Sequence, residues 1–253
     1  MRYSRAAVAL LSLTLLAACE QESPTGVNGV ERSAGALAPD SEAVVEAELG
    51  AGVMRGDHTW SITIENLTPD TGDGGAQVFS PPVLATHRGN GVIYRTNQFA
   101  SPELAGVAED ALNGPLVDAL HGDARVFQVV QGDAVVPPGA SATYMVESNR
   151  MAGQLSMAFM LVNTNDGFAG LNAVRLPARG EAIYYLQALD AGSELNTELA
   201  SDIPGPCCGS PGVGTPTHER IALHEGIQGD GDLDVEKWGW TGPVAVLSIE
   251  RVD

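Results

Sequence analysis

Apolar and polar positions alternate from Trp60 to Leu67, with Ile62 and Ile64 on the dry side, and this period of two predicts a strand with one face in water. The alternation returns between Pro243 and Arg251, where it predicts a closing strand. Leu155 to Val162 is apolar almost throughout, as expected of a strand at the centre of a sheet packed on both faces, and Ile183 to Ala188 reads as another strand entering the core. Shorter strands are predicted at Phe127–Val130 and Ser141–Glu147. Phe79 to His87 is extended, and its paired Pro81 and Pro82 point to an edge or a crossing segment. One helix stands out. Ser101 is placed to cap it, Pro102 to open it, and Leu104, Val107, Ala108 and Ala111 to form its buried face. Gly114-Pro115 is expected to stop it, with a further helical turn over Leu116–Leu120. Many short strands, Gly/Pro turns and one short helix predict an all-β fold, an antiparallel β-sandwich, and not alternating βαβ units.

The N-terminal pattern is of another kind. Arg2 and Arg5 precede an apolar run, Ala6–Leu16, that is too short to span a bilayer, and Leu16-Ala-Ala-Cys19 follows it. Small residues before that Cys resemble a bacterial lipobox. Residues 1–18 are therefore expected to be a lipoprotein signal peptide and Cys19 the lipidated residue, holding the chain to a membrane of the bacterial cell envelope. Glu20 in place of Asp after it favours the outer membrane. Residues 19–56, rich in Glu, Ser, Ala, Pro and Gly without sustained period, read as a flexible acidic tether, and residues 57–253 as one domain.

Net charge is −19, and loss of Arg2 and Arg5 with the signal takes it to −21. So acidic a chain is a poor partner for nucleic acid or anionic lipid, which leaves the acyl chain as the membrane contact. Asp166, Asp190 and Glu194 fall at turns that follow predicted strands, with Gly167 and Gly192 beside them. Three carboxylates held there repel one another unless a cation lies between, and such hard oxygen donors suit Ca²⁺. Asp, Asn and Gly are also simply what turns are made of, and the spacing is not that of an EF-hand. Cys207 and Cys208 are adjacent, so a vicinal disulfide, a bridge to another chain and free thiols all remain open. His218 and His224 are six residues apart, two more than a helical zinc pair needs, and Asp230, Asp232 and Asp234 alternate with Gly and Leu in what reads as a loop. No G-x-S-x-G elbow or nucleophile-base set is present, so the expectation is a protein that is not an enzyme.

Several segments, in order, resemble the spondin domain, the module of the matrix proteins F-spondin and mindin that also occurs in bacterial lipoproteins. They are Trp60–Thr68, Phe79–Val83 with Ala85–His87, Ala100–Leu104, Ala108–Asp110, Leu155-Ser156, Asn163–Phe168 with Gly170–Asn172, Asp190–Glu194 and Pro243–Val246. The resemblance covers nearly all of 57–253. It implies a C2-like antiparallel β-sandwich with a bound Ca²⁺ whose carboxylates are Asp166, Asp190 and Glu194. Glu194 stands where the animal pattern has Asp. The function it implies is a non-catalytic adhesion or ligand-binding module for an unknown glycan or protein. A Ca²⁺-dependent envelope hydrolase and a structural envelope protein with a stabilising Ca²⁺ are the alternatives.

Overall fold

A computed structural model of the chain describes residues 42–44, 57–72, 75–209 and 213–253. The expected signal peptide and Cys19 lie outside the described residues, as does the expected tether apart from β1 (Glu42–Val44).

The first sheet is built on β2 (His58–Asn66), which pairs antiparallel with β5 (Ser141–Ser148) on one side and β11 (Ala245–Arg251) on the other. Outside these lie β8 (Glu181–Leu186) next to β11, and β1, which pairs in parallel with β5. The second sheet runs in the order β10 (Ala222–Leu223), β9 (Leu189–Asp190), β7 (Gly167–Arg175), β6 (Gln154–Met160), β3 (Val83–His87), β4 (Val126–Gln131), antiparallel throughout. The chain is thus an all-β sandwich.

Alternation sets which side chain goes where. Ile62, Ile64, Tyr144 and Leu247 from the first sheet meet Leu84, Leu155, Met157, Phe159 and Leu171 from the second in the main core. The opposite face of the second sheet, carrying Val83, Ala85, Ala158 and Phe168, is covered by α1 (Pro102–Asp110) and α2 (Asn113–His121) through Leu104, Val107, Ala108, Leu116 and Leu120. β6 is apolar on both faces because one faces the other sheet and the other faces helices.

Two readings of the prolines are corrected. Pro81 and Pro82 precede β3, which is buried along its length between β6 and β4 and is no edge. α1 ends where Ala111 turns left-handed at φ 55°, and Gly114-Pro115 lies in the first turn of α2, where a missing N–H costs nothing. The helical turn expected over Leu116–Leu120 is the body of α2, and α3 (Val235–Trp238) is a further short helix not expected from the sequence.

The strands also give the sandwich two distinct ends. β2 begins, β5 ends, β7 ends, β8 begins and β11 ends at one of them; at the other lie the start of β7 and β9 and the long 191–244 excursion.

Candidate functional site

The turn from β6 to β7 is held by its own side chains. Thr164 Oγ1 donates to Leu161 O (2.6 Å) and accepts from Gly167 N (2.9 Å). A Cβ on Gly167 would lie 2.4 Å from that hydroxyl oxygen, so the residue after Asp166 is fixed as glycine by contact. Asn163 donates to Ala76 O and accepts from Cys207 N, tying the turn to two other loops. Asp166 sits inside this frame with no exposed surface.

The pairing of Gly167 with Asp190 brings the second acidic turn alongside. Asp190 Oδ1 accepts from Gly192 N at 2.7 Å, and Gly192, at φ 70°, lets the chain double back against the Glu219 backbone. Ser193 N (2.8 Å), Ser193 Oγ (3.2 Å) and Glu194 N (3.0 Å) then all donate to one oxygen, Asp166 Oδ2. The other, Oδ1, is buried and has no hydrogen-bond partner. Burial first, and the nearby Asp190 charge second, push the Asp166 carboxyl up to about 6 against the pull of its three donors.

Glu194 is half-buried and accepts from Gly214 N at 3.0 Å. Burial, then the charge of Glu109, then those of Asp166 and Asp110 push it up to about 7, while the Gly214 amide pulls the other way. Asp110 is itself raised by burial. The C-terminal turn of α1 therefore delivers two more acids, so five carboxylates share this end of the sandwich. Reading the helix alone leaves Glu109 and Asp110 facing solvent, and Asp110 is exposed and Glu109 partly so; the docking of α1 brings their charges within reach of Glu194.

Among the described residues no three His, Cys, Asp or Glu side chains converge as a metal would require. Asp166 and Asp190 are brought together, whereas Glu194 turns to the Gly214 amide. The donor set remains one for a hard cation. It offers oxygen ligands, one of them a buried carboxylate oxygen without a partner, and burial disfavours the charged forms of Asp166 and Glu194.

The other candidates part company. His218 stacks on Phe99 (4.1 Å between centroids, 4° between planes), with Arg220 also over that ring at 4.6 Å. His224 instead packs against Trp240, so the two histidines form no common site. His224 Nδ1 accepts from Gly226 N, and its buried Nε2 has no partner. Burial lowers its pKa, against the raising charges of Asp190, Glu198 and Glu225. Asp232 accepts from Ala200 N on a distant loop and Asp234 caps α3, so two acids of the Asp230–Asp234 run are engaged with backbone amides. Sequence reading passed over Glu198, whose buried carboxylate gathers the amides of Gln228, Gly229 and Asp230 (2.5, 2.7 and 3.0 Å). Cys207 and Cys208 form a vicinal disulfide, packed with Trp240 against the small core of Ile203, Ile227, Leu233 and Trp238.

No protein-family model matches the chain, and a search of curated proteins finds none similar to it.

Proposed function

We propose that this chain is a spondin-like, non-catalytic binding module of the bacterial envelope, attached through lipid on Cys19, whose acidic end is ordered by Ca²⁺. The observation that carries the reading is Asp166: a fully buried carboxylate with one oxygen saturated and the other without a partner, beside Asp190. A carboxylate left half-satisfied in that way is costly unless a cation completes it. Asp166 and Asp190 would hold the ion, and Glu194 would join them by leaving the Gly214 amide. The ion's contribution is to offset their repulsion and fix the loops 161–167 and 190–216. Next to those loops the partly exposed stack of His218, Phe99 and Arg220 gives a partner a mixed aromatic and cationic contact.

Thermal unfolding in chelator, then with Ca²⁺ or Mg²⁺, tests the ion. Linkage gives about 2.7 kcal/mol of added stability at a hundredfold excess over Kd. The gain should be selective for Ca²⁺ and absent in Asp190→Asn; a gain that the variant keeps would place the ion elsewhere.

The second reading, a Ca²⁺-dependent hydrolase of envelope polymers, requires Glu194, a half-buried carboxyl raised to about 7, to stay off the ion and serve as the acid. It requires polymer cleavage that Glu194→Gln abolishes, and intact envelope polysaccharides after prolonged incubation would leave only the binding module.

A further inference from the structure

The end of the sandwich opposite Asp166 holds an arginine-lined cleft of about 1100 Å³, which opens between the β5–β6 turn, the β7–β8 loop and the starts of β2 and β8. Four of the nine lysines and arginines among residues 57–253 line it, Arg150, Arg175, Arg179 and Arg251, in a chain whose net charge is −19. Arg251 is committed to the fold: Nε donates to Asp253 Oδ1 (3.0 Å), Nη1 donates to Ala178 O (2.9 Å), and Nη2 meets His58 Nδ1. Together with Trp60 Nε1, which donates to Pro177 O at 2.9 Å, it fixes the 177–180 loop from two sides.

Arg150, from the β5–β6 turn, and Arg175 and Arg179, from the end of β7 and the loop after it, are exposed, and among the described residues none has a carboxylate in ion-pair range. Glu181, the one acid lining the cleft, is bonded instead to the Ser248 hydroxyl. Between the arginines the wall is apolar, made by Leu176, Pro177, Ala182 and Ile183.

We propose that this cleft binds an acidic saccharide. Three unpaired guanidinium forks suit the carboxylate or sulfate groups, and the apolar wall suits the C–H faces of the sugar rings. A bare inorganic anion would leave that wall uncovered. Because the chain as a whole repels anions, recognition must be local and multivalent, so affinity falls as salt is added. The site is separate from the cation site of the proposed function, which allows each to fail alone.

The test is calorimetric titration of the full chain at low salt with tetragalacturonate, a sulfated galactose tetramer, the neutral galactose tetramer and pyrophosphate. The expected result is binding of at least one acidic tetramer, with the neutral tetramer and pyrophosphate much weaker. The double variant Arg175→Gln/Arg179→Gln, both positions exposed, should keep the melting temperature and lose at least about tenfold in affinity. Chelator and Asp190→Asn should leave this binding unchanged, whatever they do to the cation site. Failure of both acidic tetramers, binding that survives the double variant, or pyrophosphate binding as tightly as the saccharides would each overturn the proposal.

Discussion

Asp166 makes the metal-free protein sensitive to pH in an uncommon direction. Its folded carboxyl is raised from 3.8 to about 6, so the native state holds the proton more tightly than the unfolded chain does. Stability is then greatest below the unfolded value and falls as pH rises through about 6, by on the order of 3 kcal/mol for this group. Glu194, raised to about 7, adds to the fall in the same direction, discounted for its partial exposure. Urea unfolding in chelator should therefore give a lower free energy at pH 7.5 than at pH 4.5, and Asp166→Asn should flatten that difference. In chelator at pH 7.5 the variant should be no less stable than the wild type, and with Ca²⁺ the order should reverse. A wild type that gains stability across that pH range would show that the anion is already compensated within the chain. That Asp166, Asp190 and Glu194 lie at strand ends and turns was legible in the sequence because turn chemistry is local. The orphaned Oδ1 and the approach of Glu109 were not, since both depend on which loop meets which helix.

At the scale of elements, the second sheet tolerates little change where β6 and β7 meet. A Cβ on Gly170 would lie 2.0 Å from Met157 O, a backbone atom that cannot turn aside. Gly170→Ala should cost about 3 kcal/mol in denaturant unfolding, as overpacking of a central pair does. Ser101 Oγ accepts from Leu104 N at 3.3 Å, and Ser101→Ala should cost about 1 kcal/mol. Because α1 brings Glu109 to Glu194, the same change should also loosen the acidic end; hydrogen exchange of the 190–194 amides is the check. The strands were legible wherever one face is wet, as in β2 and β11, and β6 was legible as central because its unbroken apolar run has only one use. β3 was misplaced because prolines just before a strand look, in sequence, like prolines within it. The start of α2 was missed because Gly-Pro breaks one helix as readily as it opens another.

For the whole molecule, the sandwich separates its charges, with five carboxylates around the Asp166 end and the unpaired arginines at the other. Added salt should therefore act oppositely on the two ends, easing the repulsion among the acids while weakening any anion held by the arginines. The proposed attachment is a third, independent matter. Cys19→Ala should release the chain from the membrane fraction and abolish incorporation of labelled fatty acid; retention of the label would remove Cys19 from the reading.

After β1 the chain joins the sheet again at His58 and leaves it at Arg251, on neighbouring antiparallel strands and at the same end. The consequence is mechanical. If the module is moored through its N-terminus and pulled by something gripping the acidic loops, the load runs lengthwise along β2 once the three β1–β5 pairs have parted. The eight residue pairs to β5 and the seven to β11 then resist sliding together. If it is pulled from the arginine cleft, the load enters and leaves at one end and peels those pairs in turn. The same fold should thus hold firmly against tension applied at one pole and yield at much lower force at the other.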